Sequence, residues 1–174
     1  MRRPVRPEWL LRLARELAGE GAGPGQPRTT NLRRATSSAY YALFHAISLG
    51  VAVEALPNAP ARERHAYARY VNHTAIKRVC EWISGATPPR HLQECATRLR
   101  SNGDLLAVAF AFTVLHEQRE AADYDHEADF TRASALASVR EADRAVAALR
   151  AGSATDEFRA LFGLVALQTS IRGS

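Results

Sequence analysis

Apolar residues recur along almost the whole chain at steps of three and four, and almost no stretch alternates with period two. That spacing marks helices with one face in a core. The expected fold is therefore all-α: an up-down bundle of four to five helices with an extra C-terminal helix, forming a single domain over 1–174. Pro7 to Glu20 opens on Pro and Glu and then places Trp9, Leu10, Leu13, Ala14 and Leu17 on one face, which predicts a first amphipathic helix. Gly21 to Pro27 reads as a flexible linker. A second helix, capped by Thr29, Thr30 or Asn31, is expected to reach Gly50. A third is expected from Arg62 to Ile83, carrying Tyr67, Tyr70, Val71, Ile76, Val79, Cys80 and Trp82, and a short one from His91 to Arg100. Ser101 to Asp104 supplies a turn and cap. Leu105 to Ala121 is apolar on every side through Leu115, which predicts a central helix. Thr131 to Ala151 buries Ala135, Val139, Ala142, Val146 and Leu149, and Gly152 ends it. Ser153-Ala154-Thr155-Asp156 is a start signal for a last helix at 154–170 with Phe158, Leu161, Phe162, Val165 and Leu167. That helix is surplus to a four-helix core, so it lies across the bundle or supplies a dimer surface.

Two stretches depart from plain amphipathicity. On the second helix Arg34, Ser37, Ser38, Tyr41, His45 and Ser48 fall within an arc of roughly 100° at helical pitch. This stripe offers donors and a cation but no acid, a lining that suits a phosphate. It reads equally as a bundle face satisfied by water, with mid-helix serines bonded to their own backbone. The other stretch ends the central helix, where Thr113 to His126 packs two His, two Glu, two Asp, one Arg and one Tyr into a short span. A rigid helix end can hold titratable groups at a cleft edge, and it can equally present solvated charges.

Composition narrows this only a little. The chain has 174 residues, 47% hydrophobic and 24% charged, with net charge +5 and pI about 9.8. That balance permits polyanion binding without demonstrating it. Lys77 is the only lysine, a skew that points to base composition rather than to selected phosphate forks. Cys80 and Cys95 are too few for a disulfide framework and read as free thiols in a reducing compartment. Arg12, Arg15 and Glu16 interrupt any secretory segment. The uncharged run Ala35 to Val53 carries Ser37, Ser38, His45 and Ser48 on one face, so no membrane span is expected and the location reads as cytoplasmic.

The stretch Arg33-Arg34-Ala35-Thr36-Ser37-Ser38-Ala39-Tyr40-Tyr41-Ala42-Leu43-Phe44-His45-Ala46 resembles the signature helix of the HEPN family. The stretch Arg119-Glu120-Ala121-Ala122-Asp123-Tyr124 resembles the R-x-x-A-D-Y variant at the end of that family's penultimate core helix. Thr131 to Leu149, with Ala133, Ala135 and Ala137, is similar to its closing helix. The resemblance covers residues 30–150. It implies a helical bundle whose members include metal-independent RNases, often toxins of toxin–antitoxin or phage-defence systems, and non-catalytic RNA- or nucleotide-binding relatives. Active members are dimers with a shared cleft. The nuclease motif pairs Arg with His after four to six residues, because a cation stabilises developing charge on the phosphate and imidazole titrates near neutrality. Carried onto this chain, Arg119 is the arginine, Tyr124 stands five residues on, and His126 follows after six intervening residues.

Three readings follow. In the first, the chain acts on or binds RNA. Arg119, His126 and Tyr124 are the catalytic candidates, Arg34, Tyr41 and His45 contact the nucleic acid, and Asp123 at i+4 orients Arg119. Glu120, Asp123 and Asp125 work against a phosphate backbone at that spot. In the second, a non-enzymatic helical module binds a nucleotide or a partner protein, and Arg119, Asp123 and Tyr124 form a structural network. A third uses His116, Glu117, Glu120 and His126 as a carboxylate–histidine metal bundle, and a zinc site from His73, Cys80, His91 and Cys95 is a further variant. Neither has the spacing such sites use, so no metal and no cofactor are expected. The expected partners are RNA or a nucleotide, an antitoxin protein and a second copy of the chain.

Overall fold

The computed structural model describes residues 5–23 and 25–170. Met1–Pro4 of the basic start and Pro24 of the expected linker lie outside them. The described chain forms eight α-helices and one 3-10 turn, with no strand among the described residues: α1 (Pro7–Leu17), α2 (Thr29–Ala55), α3 (Ala61–Ala68), α4 (His73–Ser84), the turn Arg90–Leu92, α5 (Gln93–Arg100), α6 (Gly103–Tyr124), α7 (Arg132–Gly152) and α8 (Asp156–Ser170). The fold is all-α, as the hydrophobic period requires.

The hub of the bundle is α2. It packs against α1, α3, α6, α7 and α8 and buries Leu32, Ala35, Ala39, Tyr40, Leu43, Phe44, Ile47 and Val51. Helix α6 packs on α2, α4, α5 and α7, but it is not enclosed as its uniformly apolar sequence predicts. Phe110 and Val114 remain 49% and 43% exposed, because those neighbours leave one flank of α6 open. Helix α8 does not sit apart from the bundle. Phe158, Leu161, Phe162, Leu164 and Val165 join the same hydrophobic cluster as α2, α4 and α6.

Other boundaries shift for identifiable reasons. The expected third helix breaks at Arg69–Asn72, where the Asn72 side chain accepts a hydrogen bond from Ala75 N at 2.8 Å and starts α4 afresh. Tyr70 in that break is 76% exposed rather than part of a buried face. On α1 the buried residues are Pro7, Leu11 and Ala14, while Trp9 and Leu13 face outward. The leucines outnumber one helical face, so spacing alone could not choose which of them turns inward. No threonine side chain caps α2; Arg28 is the N-cap residue. Ser153 closes α7, its hydroxyl donating to Arg150 O, rather than opening α8. The capping box that does form joins Thr131 and Ser134 at the start of α7. Cys80 is buried and Cys95 half-buried, both free thiols. Among the described residues no helix is long and apolar enough to cross a membrane.

Candidate functional site

Helices α2 and α6 lie side by side, and their i, i+4 ridges bring one residue set together near the end of α6. Arg119 Nη2 donates to the Tyr41 hydroxyl at 3.0 Å. Its Nε lies 2.7 Å from Asp123 Oδ2, one turn on, as an ion pair whose N–H is not aimed along that line. Asp123 Oδ1 accepts a hydrogen bond from Ser37 Oγ at 2.7 Å. Two tyrosine rings flank the guanidinium: Tyr41 at 5.7 Å and Tyr124 at 5.4 Å from ring centroid to Cζ. The Arg119 side chain is 19% exposed, whereas Tyr124 is 70% exposed. The arrangement is one network, Ser37 to Asp123 to Arg119 to Tyr41, with an aromatic lid. Tyr41 takes one hydrogen of Nη2 and Asp123 pairs in charge beside Nε, while Nε and Nη1 have no hydrogen-bond partner among the described residues. An Arg engaged along one edge keeps its end fork for a second ligand.

The inner wall of this site is a cluster of rings. Tyr40 is fully buried and its hydroxyl lies 2.5 Å from His73 Nδ1. The His73 ring stacks on Phe44, centroids 4.0 Å apart and planes 22° from parallel, and meets Tyr41 edge-on at 6.1 Å. Tyr40 also meets His116 edge-on at 5.5 Å. His45 lies against Phe44 at 5.3 Å and Tyr41 at 6.4 Å.

Electrostatics follow from this packing. Burial, followed by the positive charges of Arg119, His116 and His45, holds the His73 pKa down at about 4. Burial also lowers His45 and His116, the latter against the opposing pull of Glu120. Burial raises Tyr40 well above the ordinary phenol range, so its hydroxyl keeps its proton. Burial alone would lower Arg119. The Tyr41 hydrogen bond and the Asp123 carboxylate more than offset it, and the net shift is upward. At neutral pH the site therefore holds the permanent cation of Arg119 beside neutral imidazoles.

The residues singled out in the sequence divide. Tyr41, Asp123 and Tyr124 each contact Arg119, and Ser37 joins through Asp123. His45 is half-buried in the adjoining ring cluster. Arg34 is exposed and makes no ion pair among the described residues. Ser48 is buried and donates to Phe44 O, a helix-internal bond. His126 is exposed, and its contact is through its backbone oxygen, which accepts from Arg33 Nη2 at 3.4 Å. His116 is buried, with Nδ1 3.5 Å from Glu120 Oε2. Among the described residues no three His, Cys, Asp or Glu side chains are grouped to hold a metal ion.

Two contributors escaped the sequence reading. Arg33, the neighbour of the arginine on the polar stripe, clamps the end of α6 through backbone oxygens. The sequence offers His73 only as one ligand of a zinc variant with Cys80, His91 and Cys95; its place after Asn72 at the start of α4 is local, but its contact with Tyr40 is not. No protein-family model matches this chain, and comparison with curated proteins and with solved structures finds no match.

Proposed function

We propose that this chain is a HEPN-like helical module that binds RNA, or a nucleotide, through the Arg119 face and does not cleave it. The observation that carries this reading is the state of Arg119: a hydrogen bond from Nη2 to Tyr41 and the charge of Asp123 beside Nε orient the guanidinium, while Nη1 has no hydrogen-bond partner among the described residues. A guanidinium oriented in this way presents its end fork to a phosphate. The exposed Tyr124 ring beside it offers a stacking face for a base. The exposed cation Arg34 on the same face of α2 adds charge for the backbone.

Two features argue against catalysis in one protomer. His126 is exposed, its one hydrogen bond among the described residues is through a backbone oxygen that accepts from Arg33, and no hydrogen bond joins its ring to Arg119. The imidazole best placed beside the ring cluster, His73, is a poor proton acceptor at neutral pH with its pKa near 4. A second copy of the chain is a further part of this proposal. The groove between α6 and α7, with Phe110 and Val114 on one side and Ala137 and Glu141 on the other, is the open apolar face that would receive it. The proposed setting is the cytoplasm, consistent with two free thiols. An antitoxin-like protein remains a proposed partner through the resemblance alone.

The test is binding of a short fluorescein-labelled single-stranded RNA, read by anisotropy in buffer with chelator. Wild type should bind and leave the RNA intact. Arg119→Ala should weaken binding by about tenfold or more. Unchanged affinity in Arg119→Ala would overturn the reading. Cleavage by wild type that is lost in Arg119→Ala would replace binding with catalysis.

A further inference from the structure

The Tyr40–His73 pair fixes a tautomer. Tyr40 is fully buried, and His73 Nδ1 is the only hydrogen-bond partner of its hydroxyl among the described residues. A buried hydroxyl that keeps its proton must donate it, and here one acceptor is within reach. Nδ1 of His73 therefore accepts, so a neutral ring carries its hydrogen on Nε2. The ring cannot swing away. Phe44 stacks on its face at 4.0 Å, Tyr41 closes its edge at 6.1 Å, and Tyr40 holds Nδ1. Nε2 makes no hydrogen bond among the described residues, and the residue is only half-buried.

His73 shares the Tyr41 ring with Arg119, which lies 5.7 Å from the same centroid and donates to its hydroxyl. The two groups flank one aromatic wall from two helices, α4 and α6. The titratable groups acting on His73 are Arg119 and His116 from α6 and His45 from α2, beside the phenols Tyr40 and Tyr41 of α2. None of those shifting its titration is a carboxylate, so nothing stabilises a charged ring.

We infer that His73 is a second ligand-contacting residue of this site, a neutral Nε2–H donor to a phosphate oxygen of the RNA that Arg119 holds. The inference rests on the proposed RNA-binding role of the Arg119 face. It adds that the site reads its ligand with one fixed charge and one fixed neutral dipole, positioned by a buried tyrosine that never touches the ligand. Tyr40 is thus a positioning residue. A neutral donor of this kind costs no protonation on binding, and its orientation is set before the ligand arrives.

The experiment uses the full chain and the same labelled single-stranded RNA. His73→Ala should weaken binding by about tenfold, the loss of one hydrogen bond to a charged group. His73→Gln places an amide N–H near the former Nε2 position and should recover most of that loss. The ratio of wild-type to His73→Ala affinity should stay constant from about pH 8 to about pH 5.5, because a donor that is already neutral does not titrate there. Imidazole nitrogen NMR should show the Nε2–H tautomer in wild type and a tautomer mixture in Tyr40→Phe. Thermal melts of each variant confirm that it is folded. An Nδ1–H tautomer in wild type, or an affinity ratio that grows as pH falls, would overturn the inference. So would unchanged binding in a folded His73→Ala while Arg119→Ala still loses it, and in that case the RNA-binding reading stands. Unchanged binding in both variants overturns both.

Discussion

Arg33 Nη1 donates to the backbone oxygen of Asp125 at 2.8 Å, joining the start of α2 to the residue that follows α6. The same guanidinium reaches Ala121 O, Ala122 O and Ala128 O, and its Cζ sits 4.9 Å from the Phe130 ring centroid. A helix leaves its last carbonyls without internal partners, and here a side chain from another helix takes them. Arg33→Ala should destabilise the fold by about 2–3 kcal/mol, as expected for several lost charge-assisted bonds that are only partly buried. Arg33→Lys should recover little, since an ammonium cannot span the same set of oxygens or stack on Phe130. Urea unfolding measures both. A loss below about 0.5 kcal/mol would show that water substitutes for the clamp.

That clamp also shows what the sequence could reveal. The period of apolar residues was enough for α7, where Ala135, Val139, Ala142, Val146 and Leu149 are all buried as expected. It was enough to place Tyr41 on a polar stripe of α2, but it left Arg119 among neighbouring charges at the end of α6, and only the motif resemblance singled it out. It could not separate Arg33 from Arg34. One position of rotation sends Arg33 across to α6 and Arg34 to solvent, and that choice depends on how α2 and α6 pack. His73 was hidden for a similar reason. Its partner Tyr40 is 33 residues away, and local pattern carries no information on a contact between helices. The outward Trp9 on α1 and the exposed Phe110 on α6 share a further cause: apolar residues exceed the inward positions available.

Gly152 ends α7 without a left-handed backbone, so its value lies elsewhere. A Cβ built there would come within 2.2 Å of the Phe158 ring. Gly50 on α2 meets Phe162 in the same way, at 2.4 Å. Both rings are buried, 2% and 4% exposed, so they have little room to withdraw. Alanine at a helical glycine ordinarily stabilises by up to about 1 kcal/mol. Here Gly152→Ala should instead lower stability by about 1–3 kcal/mol, the typical result of overpacking a filled core. Phe158→Leu in the Gly152→Ala background should lose less than in wild type, which a double-mutant cycle by chemical denaturation would reveal. Additive losses would show that the two do not collide.

The three buried or half-buried imidazoles set the acid side of the stability profile. His73, His45 and His116 all have folded pKa values below the unfolded value near 6.5, with His73 at about 4. Between those values the unfolded chain binds more protons than the folded one, so stability rises with pH across the window. The contribution is fully present above about pH 6.5 and is lost as pH falls toward 4. The melting temperature should therefore drop from pH 7 to about pH 5, and His73→Gln should flatten that slope at moderate ionic strength. A melting temperature that climbs on acidification to about pH 5 would mean that these rings gain rather than resist a proton.

Asp123 decides whether the Arg119 network is a scaffold or a binding site. Its carboxylate pairs with Arg119 on one edge and accepts from Ser37 on the other, so it both orients the guanidinium and lowers the local positive potential. Asp123→Asn keeps an acceptor for Ser37 and removes the charge. In a binding site this variant should gain RNA affinity by about three- to tenfold at low salt, with the gain shrinking as salt rises, because a like charge near the phosphate is gone. Its cost in stability should be about 1 kcal/mol, since the pair is partly solvent-exposed. Ser37→Ala should give a smaller change in the same direction as the hold on the carboxylate loosens. Anisotropy titrations at two salt concentrations, alongside urea unfolding, separate the two roles. A stability loss with no gain in RNA affinity would make Asp123 purely a brace for the end of α6, and Arg119 with it.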